Sequence, residues 1–307
     1  MEIIDGIENI NTKFPCAITV GTFDGIHLGH KKIISRLLEI ANEKNLCSTM
    51  VTFHPHPKLV VKSKFKEAIK LITDKDEKIE IIRESGIDRL VIIKFDHDFS
   101  QTNYRQFIKS ILLDKLMAKV VVVGYDHAFG KNREGNFDNL VLLSDEFKFE
   151  VEKVGPFEIK DQVVSSTTIR NALTEGEVEK AAEYLGRLYS VSGKVVPGDG
   201  RGKKLNFHTA NIDVENPNKL IPGKGVYAVD VKHNDQMYKG MMNIGFRPTF
   251  GSDQLNIETH IFDFKKEIYG EKLTVFFKKR LRDEIKFNSV EELITQLEID
   301  KQNSLNI

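Results

Sequence analysis

The segment Gly21-Thr22-Phe23-Asp24-Gly25-Ile26-His27-Leu28-Gly29-His30 carries the residue types that phosphate chemistry needs. Gly21, Gly25 and Gly29 have no Cβ, so a polyanion can come close to the main chain. His27 and His30 stand i, i+3 where a helical pattern begins, which places both rings on one face of the first turn. A helix N-terminus adds free N–H groups and the positive end of the dipole. Two imidazoles at that spot suit negative charge developing on phosphate, so the turn predicts nucleotide chemistry. A metal site would need a Cys or a third His at ligand spacing, and neither lies nearby.

Further along, Thr52-Phe53-His54-Pro55-His56-Pro57 closes an apolar run, and its prolines should stop the strand and hold His54 and His56 extended. The loop from Gly124 to Gly135 contains Asp126, Lys131 and Arg133, the last two able to pair with phosphate. Ser165-Ser166-Thr167-Thr168-Ile169-Arg170 sets hydroxyls ahead of a helical pattern, as N-caps or as an anion clamp completed by Arg170. A second glycine-rich stretch, Gly193 to Gly202, includes Gly198, Gly200 and Arg201 and precedes Leu205-Asn206-Phe207-His208-Thr209-Ala210-Asn211. It lacks the Gly-Lys-Ser/Thr ending of a P-loop; the Thr209 hydroxyl and Asn211 amide are hard oxygen donors suited to Mg²⁺ held by phosphates. Glu258 interrupts an apolar strand pattern and is a candidate general base, sharing a face with His260 while Ile257, Thr259 and Ile261 take the other. Taken singly, each motif also suits a plainer role: a tight turn, a solvated loop, a helix cap, a flexible hairpin tip or a solvated strand face.

The elements that must position these residues fall into two halves. Strands are expected at Ala17–Val20, Ser48–Phe53, Arg89–Lys94, Val120–Gly124 and Phe149–Val154. Helices are expected at Lys31–Glu43, Asp74–Ser85 with a capping-box-like Thr73…Asp76, Asn103–Leu116 capped by Thr102, and Asn136–Glu146. Alternating strands and helices predict an open parallel sheet, with ligands beyond the C-terminal strand ends. The pattern changes near Leu185-Gly186-Arg187, after a helix over Glu177–Tyr184. Short strands follow at Tyr189–Val196, Gly225–Lys232, Tyr238–Ile244, Asn256–Phe262 and Glu271–Arg280, then a helix at Ser289–Leu297. That predicts an antiparallel sandwich or small barrel.

Composition narrows the partners. The 307 residues suffice for two cores, and 45 basic against 45 acidic side chains give zero net charge. Nothing in that balance argues for long nucleic acid or an anionic membrane as partner. No apolar run approaches the roughly 18–20 residues of a membrane helix, and Met1-Glu2-Ile3-Ile4-Asp5 does not open like a signal peptide. Cys16 and Cys47 are expected as free thiols in a reducing cytoplasm.

In combination the motifs resemble, across nearly the whole chain, the prokaryotic bifunctional riboflavin kinase/FMN adenylyltransferases, or FAD synthetases. Gly21–His30 is similar to that family's nucleotidyltransferase signature, with Phe53–Pro57, Gly124–Gly135 and Ser165-Ser166-Thr167…Arg170 following in order. Gly193–Asn211, Asn243–Phe250 and Glu258–Phe264 are similar to its kinase half. The chain departs from the family's Gly-Phe-Pro-Thr-Ala-Asn at Asn206 and His208, and His127-Ala128 replaces an aromatic-plus-Arg pair.

The resemblance implies an α/β plus all-β chain. Residues 1–186 would form a Rossmann-like nucleotidyltransferase domain, and residues 187–307 a riboflavin kinase-like β-barrel with a terminal helix. It implies nucleotide binding by Gly21, Phe23, Asp24, Gly25, Gly29, His56, Asp126, Arg133, Ser165, Ser166, Thr167, Gly193, Gly198, Gly200, Arg201 and Gly202. His27, His30 and Arg170 would serve adenylyl transfer, Glu258 would be the kinase base, and Thr209 and Asn211 would hold Mg²⁺. ATP, riboflavin and FMN would be the substrates. A chain with a silent kinase half, or a flavin-binding regulator without turnover, would carry the same motifs.

Overall fold

The computed structural model describes residues 1–61, 68–131, 134–198, 207–249 and 252–307. Its packing divides into two compact units, Met1–Ser166 and Thr167–Ile307.

The first unit is built on β1 (Glu2–Asp5), β2 (Cys16–Val20), β3 (Cys47–His54), β4 (Arg89–Lys94), β5 (Ala118–Gly124) and β6 (Glu150–Val154). They pair in the order β1-β4-β3-β2-β5-β6, all parallel. Every residue of β2 is buried, as a strand covered on both faces must be. One face packs Ile18, Val51, Val91 and Val121 against Phe107, Leu112 and Leu140; the other packs Ala17, Met50, Leu90 and Val120 against Leu37 and Ile82. The strand order reverses between β2 and β5, so their C-terminal ends frame a switch-point crevice. Gly21 and Gly124 stand at those ends.

Helix α1 (Leu28–Glu43) starts earlier than expected, because His27 itself is the N-cap. Helix α2 (Lys75–Glu84) has its capping box one residue later than expected, on Asp74 and Glu77. Over the Asn103–Leu116 expectation, a turn at Tyr104–Gln106 runs into a π-helix at Phe107–Lys115. Its cap is Asn103, whose side chain accepts from the Gln106 amide at 2.8 Å, not Thr102. Helix α3 (Phe137–Phe147) is capped by Asn136. Strand β1 has no counterpart in the sequence pattern: it buries only Ile4 and is held at the edge by Arg89, whose Nε meets Glu2 at 2.7 Å. A small hairpin, β7 (Glu158–Ile159) and β8 (Gln162–Val163), leads out of the unit.

Helices α4 (Ser166–Thr174) and α5 (Val178–Leu185) continue the alternating pattern in sequence, yet from Thr167 onward they pack with the second unit. The Gly223 amide bonds the Leu173 carbonyl at 2.8 Å, and a Cβ on Gly176 would lie 2.7 Å from the Tyr227 hydroxyl. The change of pattern near Gly186 and the packing division therefore fall at different places.

The second unit is a closed antiparallel barrel of β9 (Tyr189–Val196), β10 (Ala210–Asp213), β11 (Gly225–His233), β12 (Gln236–Thr249), β13 (Ser252–Ile261) and β14 (Lys272–Arg282). Strand β10 was not expected; it closes the ring between β9 and β13. Gly193 permits that closure, since a Cβ there would lie 2.4 Å from the Asp213 carbonyl. Tyr189, Tyr227 and Phe277 fill the interior.

The terminal helix α6 (Val290–Leu305) is capped by Ser289 and runs two turns beyond Leu297, where the sequence holds no Gly or Pro to stop it. Asp300, 1% exposed, accepts from Arg282 Nε at 3.0 Å and Nη2 at 2.8 Å. Removing one partner of such a pair costs about 3–5 kcal/mol. Asp300→Ala is expected to destabilise the barrel unit by that order and to raise amide exchange along Val290–Leu305, measured by hydrogen–deuterium exchange.

Candidate active sites

The turn after β2 is held in conformations that side chains normally avoid. Phe23 has φ 46°, Gly25 φ 90° and Ile26 φ 40°. Phe23 and Ile26 are buried, so packing holds them there. Hydrogen bonds fix the rest. Asp24, 1% exposed, accepts from the Ile72 and Thr73 amides at 3.0 and 3.1 Å. The Gly25 amide donates to Thr73 Oγ1 at 3.1 Å, and Ser166 Oγ donates to the Asp24 carbonyl at 2.8 Å. The Thr22 carbonyl accepts from Lys78 Nζ at 2.7 Å and Thr52 Oγ1 at 3.2 Å. Asp24 thus shapes the cradle by bonding inward.

The two histidines lie at the mouth of α1. His27 Nδ1 accepts from the His30 amide at 3.4 Å, and the rings stack 3.7 Å apart at 22°. Phe23 meets His30 edge-on at 5.1 Å. His30 Nδ1 is buried with no partner among the described residues. Burial first, then His27 and Lys78, push the His30 pKa well below the ordinary value, so the ring is neutral at pH 7. Gly29 packs closely here: a Cβ would lie 3.1 Å from the His27 ring and 3.3 Å from the Val164 carbonyl, so a side chain would press on both.

His56 is extended as expected, but Pro57 begins a short helix, Pro57–Val60, that His56 caps by accepting from the Lys58 amide at 3.1 Å. His54 ends β3, its pKa lowered by burial and then by Lys75 and Lys78. Asp126 is exposed just past β5, and Phe129 bridges to Gly135 within the following loop. Ser165 is half-buried; Ser166 and Thr167 form the first turn of α4, with Arg170 in the next. Gly21, Phe23, Asp24, Gly25, His27, Gly29, His30 and Ser166 therefore gather around one turn. Arg133, Gly200, Arg201 and Gly202 lie outside the described residues.

In the barrel, Glu258 sits in β13 directly opposite Asn211 of β10 and Asn243 of β12. Residues facing across a ladder share a face, so the three form a row. Glu258 and His260 are half-buried while Ile257, Thr259 and Ile261 point into the core. Gly198 lies against the amide of Asn211, where a Cβ would come within 2.0 Å of Nδ2. Thr209 is exposed immediately before β10. Phe207 anchors this segment in a small cluster with Met241 and Phe262. His260 Nδ1 donates to the His208 carbonyl at 2.7 Å, which holds the main chain at a position where the family motif has proline. The Thr209 hydroxyl, Asn211 amide and Glu258 carboxylate are oxygen donors of the kind Mg²⁺ takes.

Sequence reasoning missed what supports the turn: Thr52 opens a motif read for its histidines, Thr73 was expected as a helix cap, and Lys78 lies outside any motif. Lys78 left one signal: a basic residue in the first turn of α2 runs against the helix dipole.

A parallel sheet with a histidine-bearing glycine turn, followed by a closed barrel, is the architecture of a two-part nucleotide-handling transferase. The family model described as FAD synthetase matches residues 9–168, and that described as Riboflavin kinase matches 185–307. The bifunctional riboflavin kinase/FMN adenylyltransferase of Listeria monocytogenes is 40% identical over 94% of this chain and 90% of its own length. The Bacillus subtilis protein so described is 38% identical over 94% and 91%. A solved structure described as a macrolide-efflux protein from Streptococcus pneumoniae covers 100% of both chains at 30% identity, TM-score 0.92. Among the described residues of this chain no helix is long and apolar enough to cross a membrane. The chain belongs to the bifunctional riboflavin kinase/FMN adenylyltransferase family.

Asp24→Ala leaves the Ile72 and Thr73 amides without an acceptor, at about 1–3 kcal/mol each. Calorimetry should show lower stability of the first unit, and FAD synthesis from FMN should fall while riboflavin phosphorylation persists.

Proposed function

We propose that the barrel row phosphorylates riboflavin and that the glycine turn adenylylates the resulting FMN, each reaction using its own ATP. The observation that carries the kinase assignment is the register of Glu258 opposite Asn211. Riboflavin's terminal hydroxyl attacks the γ-phosphate of ATP, and Glu258 takes the hydroxyl proton. Thr209 and Asn211 would hold Mg²⁺, which when bound neutralises charge on the phosphates. Gly193, Gly198, Gly200, Arg201 and Gly202 belong to the segment that covers the triphosphate in this reading.

In the residues 1–186 half, the FMN phosphate attacks the α-phosphate of ATP and pyrophosphate leaves. The nucleophile is already anionic, so no strong base is required. His27 and His30 polarise phosphate oxygens by hydrogen bonding, since a neutral His30 carries no formal charge. Arg170 supplies that charge, and the rigid turn sets the line of attack. The presence of both family matches in one chain supports two working reactions over a silent kinase. A cytoplasmic setting, rich in ATP and compatible with the free thiols Cys16 and Cys47, completes the proposal.

The test is a double dissociation with FMN and FAD quantified separately. His30→Ala should lower adenylyl transfer by about 10²–10³ and spare phosphorylation. Glu258→Gln should lower phosphorylation by about 10²–10⁴ and spare FAD formation from supplied FMN. Wild-type rates in either variant refute that residue's role.

A further inference from the structure

Lys78 is the conspicuous charge that the motifs leave unexplained. Its Nζ donates to the Thr22 carbonyl at 2.7 Å, inside the turn that carries His27 and His30. An ammonium has three N–H donors, and among the described residues no other hydrogen bond or ion pair engages it. Asp24 is the nearby carboxylate, but its oxygens are bonded to the Ile72 and Thr73 amides. The lysine lies in the first turn of α2, where the dipole opposes it. Lys75 in the same turn has a reason to be there, an ion pair with Asp5 at 2.7 Å; among the described residues Lys78 has no such pair. In the same crevice His30 Nδ1 is buried without a partner among the described residues. Two polar groups left short of partners beside a glycine cradle are the mark of a site completed by its ligand.

We infer that Lys78 is a phosphate-binding residue of the adenylyl-transfer site, its spare N–H groups engaging a phosphate of FMN or of the ATP triphosphate. This rests on the turn being that site. The groups around it are mixed: His27 and His30 at the start of α1 and His54 at the end of β3 bring imidazoles that can donate to an anion, Lys75 of α2 is already paired with Asp5 at the end of β1, and Asp24 in the turn and Asp76 in α2 are the opposing carboxylates. Desolvation pulls the Lys78 pKa down to about 8, so at that pH the free protein holds only part of this proton. An arriving phosphate restores the charged form, so binding near pH 8 takes up part of a proton.

Calorimetric titration at pH 8, in buffers of differing ionisation enthalpy, tests this with FMN alone and with ATP plus Mg²⁺ alone. Lys78→Met should weaken one ligand at least tenfold, abolish that ligand's proton uptake, lower adenylyl transfer and leave riboflavin phosphorylation unchanged. The affected arm identifies the phosphate. Lys78→Arg stays charged, so it should retain most binding while losing the proton uptake; it decides the matter if the methionine variant does not fold. If Lys78 only pins the Thr22 carbonyl, Thr52→Val should mimic Lys78→Met, and proton uptake should be unchanged in both. That result, or binding of both ligands within twofold of wild type, overturns the inference. Loss of the His30 effect with Lys78 behaving as expected would instead sink the assignment of catalytic roles at the turn.

Discussion

The nucleotidyltransferase half depends on one constraint: the chain must turn sharply out of a buried strand and start a helix within a few residues. Phe23, Gly25 and Ile26 all take positive φ to do so. Such a turn persists only when its surroundings over-determine it. Asp24 does most of that by accepting two main-chain amides from the Ile72–Thr73 segment, while Thr52, Lys78 and Ser166 hold the turn's carbonyls. The other face of the turn carries the two stacked imidazoles of His27 and His30, and that is the face to which we assign the phosphate in the proposed reaction.

The barrel solves a similar problem by different means. Here positions are set by strand register, with Asn211, Glu258 and Asn243 aligned across three strands. Register also determines that the intervening Thr259 turns inward and His260 outward, which lets His260 hold the His208 carbonyl. At His208, where the motif the chain resembles carries proline, the main chain is held by a hydrogen bond from His260 of β13. Phe207 adds an apolar anchor on the same stretch.

The sequence revealed the parallel sheet, its central strands and the helices around it because buried parallel strands are continuous apolar runs and Gly punctuates them. It also placed His27 and His30 at one helix start, and Glu258 on the opposite face from Ile257 and Ile261. What stayed hidden has specific causes. Strand β1 buries one side chain, so no period of two is visible. Strand β10 is four residues long beside a glycine-rich stretch. The cap of α2 was misplaced by one residue because Thr73, Asp74 and Asp76 all suit a cap, and Thr73 is committed to the turn instead. The division between units could not be read from alternation, since α4 and α5 look like the first half and pack with the second. Lys78 lay hidden because the contact that matters spans 56 residues of sequence.

The two sheets also differ in how they end. The barrel joins its first and last strands and offers no free backbone rim. The parallel sheet has two rims, and each is short and decorated with charge: Glu2 and Asp5 along β1, Glu150, Glu152 and Lys153 along β6, with Lys44 and Arg36 clasping the glutamates. A stray strand from another chain would have to strip those charges of water before it could add on. Those two rims of the parallel sheet therefore offer little to template amyloid-like growth.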